Sequence, residues 1–154
     1  MRHLRFTLVV SMLVVLIIGL GRNVMSGPVA PKLEVRLAEN EPGVGLTEAT
    51  VQSSGKKVYL HGETVVSDPD VVQARVVQGN VASSFNVAIV FTPSGSEKMA
   101  KATEAHLNRP LAILIDGKVI AAPTIRSRVT DSAVINGDFT KEQADAIAAG
   151  LNSR

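Results

Sequence analysis

The feature that most constrains the fold is a hairpin pattern in residues 111–123, LAILIDGKVIAAP. Two apolar runs flank the pair Asp116-Gly117. Both central residues of a type I′ turn need a positive φ, which glycine adopts freely and aspartate more readily than most residues, so this pair predicts the turn. The first run is apolar on both faces, which predicts a central strand covered on each side. Pro123, which lacks a backbone N–H, is expected to end the return strand.

Composition limits the chemistry that is open to the chain. Its 154 residues, 45% of them hydrophobic, suit one domain with an ordinary core plus an appendage. The absence of cysteine excludes disulfides, thiolate metal sites, cysteine nucleophiles and a lipid-modified N-terminal cysteine. Tryptophan is absent and aromatic residues make up only 3%, so the core must consist of aliphatic side chains.

Residues 1–26 predict an export signal or a membrane anchor. Arg2 and Arg5 precede an apolar stretch over residues 6–20, and a basic start before an apolar run is typical of an export signal. The segment that we expect in the membrane, residues 4–21, lies between the usual signal length and the ~20 residues that span a bilayer, so a cleaved signal and an uncleaved anchor both fit. The basic flank predicts a cytoplasmic N-terminus and an exported remainder, anchored outside the membrane or secreted if the signal is cleaved. A buried hydrophobic helix is the alternative.

The rest of the chain is close to neutral. The first 26 residues hold three of the 16 Lys and Arg and none of the 14 Asp and Glu, so the remainder carries a net charge of −1. The sequence pI near 9.2 therefore describes the N-terminal segment rather than the domain. No run of Lys or Arg occurs and aromatic residues are scarce, which argues against nucleic-acid binding.

The sequence divides into residues 1–26 as the signal or anchor, residues 27–32 as a short stiff tether, and residues 33–154 as the folded domain. Within the domain, residues 38–55 predict mostly loop and residues 67–70 a turn. Besides the hairpin, the predicted strands are residues 33–37 (half-buried), 57–60 with an extension over 63–66, 71–77 (a strand, or a helical turn leading into one), 86–91 (well buried) and 133–136.

Capping signals predict two helices. Thr92 as N-cap and Pro93 at the first helical position begin a helix that runs to about Leu107. Ser94 and Glu97 offer an alternative cap with the capping-box spacing. The face predicted for burial contains Met99, Ala102, Thr103, His106 and Leu107.

The last helix follows a short strand that we expect to end at Gly137. Thr140 is its predicted N-cap, Gln143 takes the capping-box position, and Phe139 is placed to pack on Ala144 as a hydrophobic staple. Its predicted buried stripe contains Ala144, Ile147, Ala148 and Leu151. The order of elements predicts an α+β domain, in which two helices pack on one face of a mainly antiparallel sheet. The turn and cap positions that support this scaffold are Thr92, Pro93, Asp116, Gly117, Pro123, Gly137, Phe139 and Thr140.

No group of residues has the spacing of an active site. His61 and His106 lack metal-ligand spacing, and we interpret both as structural or surface residues. Asp68 and Asp70 flank a proline and are interpreted as turn formers. No serine lies in a nucleophile-elbow pattern and no glycines have P-loop or dinucleotide spacing. We therefore expect no enzyme activity, no cofactor and no metal.

The C-terminal half resembles a known family. The succession FTPSG, RPLAILIDGKVIAAP, INGDFT and EQADAIAAGL is similar to the head subdomain of the first periplasmic domain of SecD, from the protein-export translocase family. The upstream segment YLHGETVVSDPDVVQARVV is also similar to that family, so the resemblance covers residues 33–152. It implies a non-catalytic α+β head that lies outside the membrane and contacts exported polypeptide. The apolar N-terminal segment contains no acidic residue, so the resemblance does not extend to the proton-driven movement of full-length SecD.

Three functions remain open. The first is a free-standing head-like module that binds exported polypeptide or components of the Sec translocase. The second is an envelope interaction domain that reuses the fold for an unrelated partner, because a fold does not fix a function. The third is an enzyme, which a cleft collecting His61, His106 and several carboxylates would favour. A groove lined by Val, Ile and Met beside an unpaired strand edge would favour the first.

Overall fold

The computed structural model describes residues 30–153. The predicted segment 1–26 and residues 27–29 of the predicted tether lie outside the described residues. Between residues 30 and 153, no helix is both long and apolar enough to cross a membrane. A 3₁₀ turn occupies Asp68–Asp70, and the other elements are β1 Leu33–Glu39, β2 Thr47–Thr50, β3 Lys57–Ser67, β4 Val71–Gln78, β5 Phe85–Phe91, α1 Pro93–Ala105, β6 Leu111–Ile115, β7 Lys118–Ala121, β8 Ser132–Phe139 and α2 Lys141–Asn152.

The strands form two antiparallel sheets, where the sequence predicted one. A five-stranded sheet has the order β2-β3-β1-β6-β7, and a three-stranded sheet has the order β4-β5-β8. The two sheets separate at the 3₁₀ turn. Before the turn, β3 pairs with β1 and β2, whereas after the turn β4 pairs with β5. Local sequence patterns predict strands but not their partners, so this division was not predictable. The α+β class and the packing of two helices on antiparallel strands are confirmed.

The central hairpin is confirmed in detail. All five residues of β6 are buried, and β6 lies between β1 and β7. Asp116 and Gly117 have φ values of 50° and 76°, as a type I′ turn requires. Strand β7 ends before Pro123, whose carbonyl accepts a hydrogen bond from the Leu111 N–H at 2.9 Å.

Two strand predictions need correction. Residues 38–55, predicted to be mostly loop, also contain β2, a short edge strand that lacks apolar alternation and pairs with β3. Strand β8 does not end at Gly137 but continues to Phe139. A Cβ at Gly137 would collide with the Phe139 ring, so this glycine makes room for the ring rather than breaking the strand. The predicted extension of β3 through Gly62 is confirmed.

Both helices begin at the predicted caps. The Thr92 hydroxyl oxygen accepts a hydrogen bond from the Gly95 N–H at 3.0 Å, with Pro93 at the first position of α1. The Thr140 N–H donates to the Gln143 Oε1 at 2.9 Å, which completes the predicted capping box of α2. The four residues of the predicted α2 stripe are all buried.

The buried face of α1 differs from the prediction. The helix ends at Ala105, and Leu107 beyond it is 47% exposed. A left-handed Asn108, with φ 65°, follows. The residues that α1 buries are Gly95, Met99, Ala100 and Thr103.

The main core lies between the two sheets and includes both helices. It contains Leu33 and Val35 of β1, Ile113 of β6, and the inward side chains of β5 and α2. A second cluster, with Val58 and Leu60, covers the other face of the five-stranded sheet. Strand β1 is thus covered on both faces, not half-buried as predicted. Strand β5, predicted to be well buried, instead alternates between buried and more accessible residues.

Candidate functional site

An apolar cavity of about 190 Å³ lies between the two sheets. Its lining is mostly aliphatic and includes Val35, Ile89, Met99, Leu111, Ile113 and Ile135. The remaining wall consists of Thr103, residues 123–127, Val129 and the start of β8, with Arg126 at the rim. An apolar cavity of about 150 Å³ is large enough for benzene. This apolar cavity therefore has room for one large apolar side chain.

Hydrogen bonds hold the segment that borders the apolar cavity in place. The Ile125 N–H donates to the Arg109 carbonyl at 2.9 Å, and the Ile125 carbonyl accepts from the Asn108 N–H at 2.8 Å. Further along, the Val129 N–H donates to the Thr103 Oγ1 at 2.9 Å. Thr103 is fully buried on α1. The cavity wall is thus preformed rather than dependent on a ligand.

Strand β8 is an edge of the three-stranded sheet and borders the apolar cavity. The opposite edge, β4, is covered by the last residue of α2. The Asn152 side chain accepts from the Ala74 N–H at 2.8 Å and donates to the Ala74 carbonyl at 2.7 Å. This pair of bonds takes the place of a neighbouring strand and blocks β4 at that point.

The same contact fixes which way the backbone groups of β8 point. Ala74 pairs with Ile89, which pairs with Ala133 of β8. In an antiparallel ladder the N–H and C=O of one residue face the same neighbouring strand, and the side alternates along the chain. The backbone groups of Ala74 face Asn152 and thus point away from β5, so the backbone groups of its partner Ile89 point towards Ala133 of β8. Those of Ala133 point back to Ile89, and those of the next residue, Val134, therefore point away from β5. Within residues 30–153 no segment bonds to these outward groups of Val134.

Open space adjoins this free edge. An edge cavity of about 260 Å³ separates residues 121–123, at the end of β7, from Val134 and Asn136 of β8. The edge of β7 is itself occupied at Val119, whose carbonyl accepts from the Gln52 N–H at 2.8 Å. The edge cavity and the apolar cavity meet at Ile113, Pro123 and Val134, which line both. Together they offer an unpaired strand edge beside an apolar pocket.

Arg126 lies near the free edge, whereas Arg75 lies on the opposite edge strand of the same sheet. Arg126 is exposed at the rim of the apolar cavity. Arg75 is exposed on β4 and shares the cross-sheet register of Ala88 and Val134. Neither guanidinium forms a salt bridge with another residue in the described chain. Arg126 therefore places a positive charge at the rim of the apolar cavity, and the exposed Asp138, within β8 itself, carries a negative one.

The structure brings together two histidines that the sequence left apart. The rings of His61 and His106 meet edge to face, with centroids 6.2 Å apart. His61 Nε2 lies 3.1 Å from Glu39 Oε1, which also accepts from Arg109 Nη1 at 2.7 Å. Burial raises the pKa of Glu39, but the hydrogen bonds to His61 and Arg109 outweigh it and leave that pKa below its ordinary value. This cluster has one carboxylate, and in the described chain no three His, Cys, Asp or Glu residues are arranged to hold a metal ion.

The residues interpreted as turn formers make long-range contacts that the sequence did not predict. Asp68 accepts a hydrogen bond from the Leu33 N–H at 2.7 Å, and Asp116 from the Lys32 N–H at 2.9 Å. Asp70 pairs with Lys98 of α1 at 2.7 Å. Of the eight scaffold positions singled out from the sequence, Pro123 alone lines the apolar cavity. The free edge of β8 was missed, although the absence of charge on its exposed residues up to Asn136 was a signal.

Comparison with known proteins identifies relatives of this chain. The family model of the SecDF P1 head subdomain matches residues 46–153. The SecD translocase subunit of Koribacter versatilis is 30% identical over 136 residues, which cover 86% of this chain and 25% of the relative. The SecD subunit of Rhodobacter capsulatus is 38% identical over 129 residues, covering 80% and 23%. The chain thus spans a quarter or less of the length of these relatives.

Solved structures share the fold. A SecDF crystal structure in a super-membrane-facing form matches with a TM-score of 0.65 and 26% identity, over 80% of this chain and 19% of that one. A structure of SecDF, described as a membrane component that enhances protein export, matches with a TM-score of 0.63 and 24% identity, over 80% of this chain and 63% of that one. Because its sequence identity is only 24%, the second structure supports the shared fold and nothing further.

Proposed function

The chain belongs to the family of the SecDF P1 head subdomain, and from that premise we propose that it is a non-catalytic extracytoplasmic module that binds polypeptide during or after Sec-dependent export. Its partners are then exported chains or components of the Sec translocase. The relatives are named as protein translocase subunits.

One observation of the structure carries the proposal: an unpaired strand edge lies directly beside an apolar cavity. An unfolded polypeptide offers both backbone groups without partners and exposed apolar side chains. A strand edge forms hydrogen bonds with the backbone groups, and an apolar cavity buries an apolar side chain. Val134 contributes to both features, since its backbone groups face outward and it lines the apolar cavity.

A role without catalysis is consistent with the histidine cluster. The His61 imidazole is engaged with Glu39, and Glu39 is in turn engaged with Arg109. This arrangement is a surface ion pair that ties β1 to the segment after α1, and it lies away from the apolar cavity.

Crosslinking in cells tests the proposal. The full-length protein is crosslinked in its native host, purified from membranes and analysed by mass spectrometry for partners, and the same sample reports whether residues 1–26 remain attached. Recovery of Sec translocase components or of chains in the course of export is the expected result. Recovery of one unrelated envelope protein instead would contradict the proposal and favour a reuse of the fold for another partner.

A further inference from the structure

We infer that the polypeptide bound at this site is an extended segment with large apolar residues at alternate positions, added as a strand to the free edge of β8. The inference rests on the proposed function and specifies which part of an unfolded chain is recognised. Segments whose apolar residues have helical spacing are then poor ligands.

The backbone of β8 supplies the first reason. The N–H and C=O of Val134 face away from β5 and lack a partner within residues 30–153. A bound strand lies about 4.8 Å away and offers its own N–H and C=O groups along that edge. A helix uses these groups internally and cannot do so. The free edge therefore selects extended chains.

The pleat of β8 supplies the second reason. Ile135 is buried and lines the apolar cavity, whereas Ser132 and Asn136 are exposed on the other face. A strand added beside β8 has the same pleat, so every second side chain faces the cavity and the others face solvent. With a volume of about 190 Å³, the cavity has room for one large apolar side chain.

The charge at the cavity rim defines one further preference. Arg126 is exposed there and forms no salt bridge within the described chain. A cationic side chain on the ligand is repelled by this guanidinium, whereas a carboxylate is attracted. A neutral or acidic residue is thus favoured next to the apolar side chain that enters the cavity, and Lys or Arg is disfavoured there.

The other edges are less suited to this role. Asn152 blocks β4 at Ala74, and the Gln52 N–H occupies the outer edge of β7 at Val119. Strand β2 has four residues and carries Glu48, which pairs with Lys57 at 2.8 Å. By contrast, the exposed residues of β8 up to Asn136 are uncharged, and uncharged edges are the ones that accept a further strand.

The test compares two peptides of identical composition with the full-length chain in detergent micelles. In one peptide leucines alternate with threonine, serine and glutamate, and in the other they have the helical spacing i, i+3, i+4, i+7. Fluorescence anisotropy is expected to show at least about tenfold tighter binding of the alternating peptide, equal to about 1.4 kcal/mol. N-methylation of the amides on one side of that peptide is expected to abolish binding, while methylation on the other side has little effect.

Variants of β8 provide the matched control. Val134→Pro removes the outward N–H without removing a bond to β5, whereas Val134→Thr keeps that N–H and nearly the same shape. Proline is expected to weaken binding of the alternating peptide at least about tenfold, and threonine to preserve it. Thermal melts of both variants establish that each is folded.

Each other outcome is decisive. Equal binding of the two peptides would overturn the strand inference and leave polypeptide binding in place. Binding of neither peptide would overturn the inference, and together with a crosslinking experiment that recovers no exported chain it would overturn the proposed function as well. A dimer of the wild-type chain that becomes monomeric with Val134→Pro would show that β8 pairs with a second copy, and would also overturn the inference.

Discussion

At the residue scale, two aspartates fix the point where the chain enters the domain. Asp68 and Asp116 accept hydrogen bonds from the successive N–H groups of Leu33 and Lys32, at the start of β1. Just before them, Pro31 packs so closely on Gly150 that a Cβ there would lie 2.6 Å from the proline Cδ. The entry of the chain is therefore held against the 3₁₀ turn, the hairpin turn and α2 at once.

Glu34, on the same strand, makes stability depend on pH. Hydrogen bonds from Lys32 and Arg36 lower the pKa of this buried carboxylate, outweighing the opposing effect of burial. A carboxylate with a lowered pKa stabilises the fold above the pKa of the unfolded chain, about 4.3, and this contribution is lost as pH falls through the lower pKa of the folded state. Lys32 is largely exposed, so solvent screening limits the contribution to about 1 kcal/mol.

The Glu34→Gln variant tests this dependence. We expect it to lower the free energy of unfolding near neutral pH by about 1 kcal/mol and to differ less from the wild type in acid, where the carboxylate is protonated. Urea melts across the acidic range measure both effects. Glu63→Gln, at an exposed position outside any described salt bridge, is the control. A pH-independent difference would contradict the assignment.

Gly117→Val tests the turn. Gly117 has a φ of 76°, and a Cβ there meets no atom within 4 Å, so the cost comes from backbone conformation alone. A β-branched residue at this φ is expected to destabilise the domain by about 2 kcal/mol, whereas Gly117→Asn costs clearly less. Thermal melts compare the two. Equal stability of the valine and asparagine variants would show that the turn is not type I′ in solution.

At the scale of elements, the edge strands differ in whether another part of the chain forms hydrogen bonds with their outer backbone groups. The amide of Asn152 pairs with the backbone of β4, the Gln52 N–H pairs with β7, and β8 has no such cover within residues 30–153. Edges without cover are templates for further strands and are usually protected. The uncovered edge of β8 borders the apolar cavity, which is the reason to assign binding to β8.

Asn152→Ala tests the cover of β4. The variant loses two hydrogen bonds to Ala74, and we expect a loss of about 1–2 kcal/mol and faster hydrogen exchange of the Ala74 amide. Asn152→Asp retains an acceptor for the Ala74 N–H but no donor for its carbonyl, so its effect should be intermediate. Unchanged exchange at Ala74 in the alanine variant would mean that the contact does not protect this edge.

At the scale of the whole molecule, local signals predicted the elements and long-range packing decided the rest. Asp116-Gly117 predicted the hairpin and Thr140 the last cap because each depends on a few neighbouring residues. Strand β2 was missed since its pairing with β3, and not its own pattern, makes it a strand. The apolar cavity was not predictable either, because its wall depends on Thr103 of α1 bonding to Val129 of a distant segment.

The binding edge illustrates the same limit. The sequence indicated a short strand at residues 133–136, and the structure confirms one there as part of β8. Which of its backbone groups are free follows only from the ladder through Ile89 and Ala74 to Asn152. The histidine pair shows it too, since His61 and His106 are far apart in the chain and meet only when α1 packs on β3.

Photo-crosslinking from β8 in cells is the most direct test of the central claim. A photoreactive amino acid replaces Val134 in the full-length chain while an exported protein is stalled during translocation. Val44, a fully exposed loop residue, carries the same probe as control. We predict a crosslink to the stalled chain from position 134 and none from position 44. Equal crosslinking from the two positions, or none from position 134, would contradict binding of exported polypeptide at the free edge of β8.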